Sequence, residues 1–234
     1  MKNLIYFFEF LIIIILFTIF RIIGYRAASN LGFLIGKTFG PIFRSKKTII
    51  KNIKNFKSSI DDKELDEIIG NMWGNYGRIL AEYPFIPSFR KKKLENFLEI
   101  EGMENLKRIK DDKKPCVFIS GHFNNFELMA MLIEREGIDL SAVYRPLNNR
   151  FLNLIMEHLR KKFICKNQIK KGIKGVREAL TFFKKGKSLA IMIDQRVSEG
   201  IDSKFFGINA YTTTIPAQFV KKFGCIIQPV YIQR

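Results

Sequence analysis

The 234-residue sequence predicts an α/β fold, a mainly parallel central sheet flanked by helices, with an N-terminal membrane-anchoring helix and a helical N-terminal region before the sheet. Two observations carry this. From residue 97 onward, short apolar runs alternate with helical patterns, as they do when parallel strands are joined by helical crossovers. Ahead of that lies one long apolar segment and then a stretch of helical periodicity. The expected divisions are an anchor over residues 1–25, a helical membrane-proximal region over 26–95 and an α/β domain over 96–234.

Leu4 to Phe20 carries a single charge, Glu9. At about 1.5 Å per residue the segment is roughly 25 Å long, the short end of what crosses a bilayer. No small-x-small cleavage site follows it, which favours a retained anchor over a removed leader. Glu9 inside a lone spanning helix is costly, so crossing the bilayer and lying in its interface both stay open.

The net charge of +18 calls for a polyanionic partner. Its distribution selects among them. Residues 1–60 hold ten Lys or Arg against Glu9 alone, directly after the apolar segment, which points to an anionic membrane surface and not to nucleic acid. The cluster Arg44, Lys46, Lys47, Lys51, Lys54 and Lys57 would place the downstream domain on the cytoplasmic side. Cys116, Cys165 and Cys225 lack metal-ligand spacing and sit among apolar neighbours, so they read as reduced, buried thiols.

Residues 27–57 read as helical with a break at Gly40-Pro41. A second helix starts at the cap Asp61, with Glu64 three residues on, and its apolar stripe runs Leu65, Ile68, Ile69, Met72, Trp73, Tyr76, Ile79 and Leu80. Trp73 and Tyr76 are expected in the core. Pro84 and Pro87 end the helix.

Strands are expected at Leu98–Glu101, Cys116–Ser120, Ser141–Tyr144, Leu189–Asp194 and Ile226–Gln233, and helices near 103–110, 124–136, 148–162, 173–185 and 215–223. Ligands of parallel sheets lie beyond the carboxyl ends of the strands. Three polar clusters fall there: His122 to Glu127, Tyr144-Arg145-Pro146 and Asp194-Gln195-Arg196.

His122 follows a Ser-Gly turn, and Glu127 is five residues later. On one continuous helix these would stand about 140° apart. They meet only if His122 lies in the turn and Glu127 reaches back from the first turns of the helix, with Asn124 as an N-cap. His122 would then be a general base with Glu127 as its orienting carboxylate, and the helix N-terminus would offer N–H groups to a developing oxyanion. Arg145 suits a phosphate. Asp194 could orient Arg145, cap a helix or face solvent. Lys170-Lys171-Gly172 precedes a helix and could hold an anion. Asn148 and Asn149 read as a turn and cap, and His158 as structural.

These residues resemble a known family. Gly121-His122-Phe123-Asn124-Asn125-Phe126-Glu127 is similar to the H-x4-[D/E] block of the lipid A biosynthesis lauroyl/myristoyl acyltransferases, within the lysophospholipid acyltransferase superfamily. Val143-Tyr144-Arg145-Pro146-Leu147-Asn148-Asn149, Ile193-Asp194-Gln195-Arg196, Phe205-Phe206-Gly207 and Thr213-Thr214-Ile215-Pro216-Ala217 resemble later blocks in the same order. The resemblance runs from the anchor to Arg234. It implies an acyltransferase that moves a fatty acyl chain from an acyl-carrier-protein thioester to a hydroxyl of a phosphorylated lipid A precursor. The enzyme would act at the bacterial inner membrane, on the cytoplasmic side.

His122 and Glu127 would be the catalytic dyad, with no covalent enzyme intermediate. Arg145, Asp194, Gln195, Asn124, Asn125 and Lys171 would contact substrate. No metal or redox cofactor is implied. Family members continue past the strand matching Ile226–Gln233, so the C-terminus is expected to be shorter than usual. A superfamily transferase using acyl-CoA and another lysophospholipid or glycolipid, and a non-catalytic protein binding anionic membranes, are the competing readings.

Overall fold

A computed structural model describes residues 2–43, 46–197 and 199–234; Arg44 of the expected basic cluster lies outside the described residues. The chain forms two compact units, one of residues 1–11, 86–201 and 212–234, the other of residues 12–85 and 202–211.

The apolar segment forms helix α1, Lys2–Ile23, long and apolar enough to cross a membrane, with Phe20 its one buried residue. Its first turns belong to the larger unit. There Asn149 Nδ2 donates to Tyr6 O at 2.8 Å and to Glu9 Oε2 at 3.0 Å, while Phe7 and Phe10 pack on Phe151. The one acid of the segment thus has a polar partner.

In the smaller unit, α2 (Tyr25–Phe39) runs through the Gly40–Phe43 turn, α3 spans Lys46–Phe56 and α4 spans Asp62–Glu82. Asp61 caps α4 as expected, accepting from Glu64 N at 2.8 Å, while the Glu64 carboxylate pairs with Lys57. Helices α2 and α4 cross closely at glycines. A Cβ on Gly77 would collide with Gly32 O and lie 2.9 Å from Gly36 Cα. Beside this contact the buried Ser29 donates to Glu82 at 2.6 Å and accepts from Arg78 at 2.9 Å. The stripe of α4 is wider than the surface it buries. Leu65 and Ile69 are buried, but Ile68 and Tyr76 are exposed, which corrects the core assignment of Tyr76.

The larger unit holds α5 (Ile86–Arg90), α6 (Met103–Asp112), β1 (Val117–Ser120), α7 (Glu127–Arg135), β2 (Leu140–Tyr144), α8 (Arg150–Leu159), β3 (Asn167–Lys170), α9 (Ile173–Lys184) and β4 (Ser188–Met192). In the chain the hairpin strands β5 (Ile201–Phe205) and β6 (Ile208–Thr212) come next, with residues 202–211 belonging to the smaller unit, and the larger unit is completed by α10 (Ile215–Phe223) and β7 (Ile227–Pro229). The sheet order is β3-β2-β4-β1-β7 and every pair is parallel. One face is closed by Val117, Ile169, Leu189 and Ile191 with Ala179, Phe183 and Phe219, whose rings meet edge to face at 5.0 Å.

Leu98–Glu101 forms no strand: Leu98 is extended, but the segment joins no ladder before the left-handed Gly102 begins α6. The fifth strand is β3, polar and buried only at Ile169, an edge strand without the apolar run that marks central ones. Strand β7 is shorter than expected, although Val230 N still donates to Ile119 O at 3.0 Å.

Candidate functional site

Four parallel strands deliver polar residues past their carboxyl ends: His122 after β1, Arg145 after β2, Lys171 after β3 and Asp194 after β4. Register then decides which of them meet. Strands β1 and β4 pair Ser120 with Met192, an offset of 72, and the same offset two residues further places His122 opposite Asp194. Likewise Tyr144 pairs with Lys170, which brings Arg145 and Lys171 side by side, and Lys171 N donates to Tyr144 O at 2.8 Å.

Asp194 grips His122 at two points. Oδ1 lies 2.8 Å from the ring Nδ1, and Oδ2 accepts from the His122 backbone N–H at 2.9 Å. Gly121 makes this approach possible, since a Cβ there would stand 3.3 Å from Asp194 Cβ and 2.9 Å from the Phe123 ring. Phe126 meets the imidazole edge to face at 4.8 Å, fixing its plane. His122 and Asp194 are 28% and 39% exposed at the side chain, open enough to meet a ligand.

Glu127 occupies the position the sequence predicts, the first residue of α7, but its carboxylate is turned to Arg160. Oε1 accepts from Arg160 Nε at 2.9 Å and Nη2 at 2.5 Å, and both side chains are largely buried. Arg160 begins a π turn, Arg160–Ile164, that extends α8 and swings its guanidinium over the Tyr144 ring at 5.5 Å. Tyr144 in turn donates to Glu157 Oε1 at 2.6 Å, and Lys170 lies 3.3 Å from the same oxygen. Burial, reinforced by that carboxylate, pushes the Tyr144 hydroxyl well up from its ordinary range, and the hydrogen bond from Tyr144 holds Glu157 below its own.

His122, Phe126, Glu127, Tyr144 and Arg160 border a cavity of about 360 Å³, whereas Asp194 and Glu157 are not part of its lining. His122, Glu127, Arg145, Arg160, Lys171 and Gln195 supply its polar wall, and Phe118, Met129, Ala142, Ile164 and Ala190 are among its apolar lining. Four cations thus reach one cavity when Lys170 is included. Asn124 and Asn125 do not border it. Helix α7 begins only at Glu127, so Asn124 is no N-cap; it is left-handed at φ 39° and donates to Ile232 O at 3.2 Å. Asn125 is fully buried beneath the turn. The cap expected at Asn149 is present on α8, accepting from Phe151 N and Leu152 N.

Sequence reasoning singled out both His122 and Asp194 without joining them, because the offset of 72 is visible only once strand order is known. Arg160 went unnoticed inside Arg160-Lys161-Lys162, which looks like an ordinary solvated charge run. Burial pushes the thiols of Cys116 and Cys165 up to about 12, as inert core cysteines.

A family model described as bacterial lipid A biosynthesis acyltransferase matches residues 1–234. Among curated proteins, the chain is 23% identical over 195 residues to the lipid A biosynthesis palmitoleoyltransferase of Escherichia coli (strain K12), covering 81% of this chain and 62% of that protein. It is similarly 23% identical to a lipid A biosynthesis acyltransferase of Shigella flexneri over the same shares of the two chains. A Haemophilus influenzae lipid A biosynthesis acyltransferase is 19% identical over 174 residues, 73% of this chain and 54% of that one. The chain therefore spans less than two thirds of the length of the curated relatives it matches.

Proposed function

This chain belongs to the bacterial lipid A biosynthesis acyltransferase family, and from that premise we propose that it moves a fatty acyl chain from an acyl-carrier-protein thioester to a hydroxyl of a phosphorylated lipid A precursor. The observation that carries the reading is the Asp194–His122 pair at the strand ends, with His122 bordering a cavity lined by apolar side chains and by four cations.

With Nδ1 committed to Asp194, Nε2 is the nitrogen left to take the proton of the acceptor hydroxyl. The hydroxyl oxygen then bonds to the thioester carbonyl carbon, the C–S bond breaks, and the imidazolium returns the proton to the departing thiolate. Asp194 stabilises the imidazolium while it exists. No covalent enzyme intermediate is required. Backbone N–H groups past His122 would receive the oxyanion.

Glu127 is the second carboxylate of the site. In this geometry it pairs with and aims the buried Arg160. Arg145, Lys170 and Lys171, with Gln195 beside them, suit the acceptor phosphate. The donor acyl chain fits the apolar wall. Helix α1 and the lysines of α3 would hold the protein at the inner membrane with the site on the cytoplasmic side, and the positive charge would also draw an acidic carrier protein.

The test is transfer of labelled acyl groups by the purified chain to a phosphorylated glucosamine-based lipid. Turnover with acyl-carrier-protein thioester and this acceptor is the expected result. Turnover with acyl-CoA and a lysophospholipid alone would move the protein to another substrate class. No turnover with either donor, while anionic vesicles are still bound, would remove the enzyme reading.

A further inference from the structure

Two elements of the smaller unit, α3 and the β5–β6 hairpin, carry apolar side chains that the proposed function leaves unused; it draws only on the lysines of α3. Helix α3 buries none of its residues. At about 100° per residue, Ile49, Ile50, Ile53 and Phe56 fall on one side of it and Lys47, Lys51 and Lys54 on the adjoining side. The β5–β6 hairpin turns tightly through Phe206 and Gly207, both at positive φ, and every residue from Ile201 to Asn209 is exposed. A two-stranded ribbon of this kind is marginal in water unless something covers it.

The two elements meet through their rings. Phe206 packs edge to face on Phe56 at 4.8 Å and on Phe205 at 4.4 Å. Phe56, Phe205 and Phe206 are nevertheless 64%, 68% and 58% exposed. Three touching phenylalanines are therefore more than half open to solvent, within a unit whose exposed cations include Lys51, Lys54 and Lys204.

We infer that α3 and the hairpin tip form a membrane-interface surface, distinct from α1, in which the Phe56–Phe206–Phe205 cluster enters the acyl boundary of an anionic bilayer and the neighbouring lysines engage its headgroups. The charge complementarity selects the occupant. Rings for the acyl boundary beside cations for the headgroups is the composition of an interfacial anchor. An acidic protein partner would also satisfy the lysines, and the response to acyl carrier protein in the experiment below separates it from a bilayer. This inference does not rest on the acyltransferase reading.

The experiment places a probe at the tip. The full chain carrying Phe206→Trp is bound to phosphatidylglycerol/phosphatidylethanolamine vesicles with brominated acyl chains, and emission from Trp73 in the unsubstituted chain is subtracted. Phe205→Trp serves as a second probe should the first disturb the fold, judged by circular dichroism. Bromine quenching of the added indole is expected. Adding Lys51→Gln and Lys54→Gln should weaken this local docking roughly 30-fold, the equivalent of about 1 kcal/mol per lysine near an anionic surface. Phosphatidylcholine vesicles should weaken it as well. An unquenched indole on a chain that still sediments with the vesicles overturns the proposal, as does quenching indifferent to both the lysines and the lipid charge. Emission that responds to acyl carrier protein but not to vesicles assigns the surface to a protein partner instead and equally overturns it.

Discussion

Asp194→Asn is the substitution on which the proposed chemistry turns. Both groups facing the Asp194 carboxylate are donors in the working state, the His122 backbone N–H at 2.9 Å from Oδ2 and Nδ1–H at 2.8 Å from Oδ1. Asparagine offers one oxygen and one NH2 group. The backbone N–H can only donate, so it takes the oxygen, and the NH2 then faces Nδ1. Nδ1 must become an acceptor, which moves the ring proton to Nε2 and removes the base. General-base catalysis contributes typically 10²–10⁴-fold. With the pair partly open to solvent, the loss in kcat is expected at roughly 10²–10³-fold with little change in thermal stability.

Glu127→Gln is the companion. It removes the charge from one partner of a largely buried ion pair, at a cost of about 3 kcal/mol. In a chain of this size that lowers Tm by roughly 6–12 °C. Steady-state acyl transfer and thermal melting on both variants separate the roles. Asp194→Asn within about threefold of the unsubstituted kcat, together with Glu127→Gln inactive at unchanged Tm, would refute the reasoning and return the orienting role to Glu127.

Two further outcomes follow from packing. Gly77→Ala drives a methyl into the backbone of α2 at Gly32 and Gly36, which cannot yield as a side chain would; about 2 kcal/mol of destabilisation is expected, read as a Tm lowered by roughly 4–8 °C. Thiol titration at pH 8 should find Cys116 and Cys165 slow in the native protein, since burial holds both thiols at about 12, with the half-buried Cys225 reacting first and all three reacting in denaturant. Rapid modification of two or more native thiols would show that the sheet core opens.

Much of the fold was legible because the relevant physics is local. Apolar runs marked β1, β2 and β4, and helix periodicity with its stop residues marked α9 and α10 almost to the residue. Strand β3 escaped because an edge strand buries one residue and carries no periodic signal. The hairpin escaped because its Phe-Gly turn and exposed strands resemble a loop. In the site the residue types were readable but not their partners. The H-x4-E spacing draws attention to Glu127, whereas adjacency of β1 and β4 gives His122 to Asp194, and a π turn gives Glu127 to Arg160. Contacts set by register across a sheet cannot be read from distance along the chain.

The most direct test of the account is mass spectrometry of lipid A from a host lacking its late acyltransferase, expressing either this chain or its His122→Ala variant. The account predicts one added acyl mass with the unsubstituted chain and none with His122→Ala at equal protein level. An acyl mass still added by His122→Ala would contradict the central claim that this imidazole is the base.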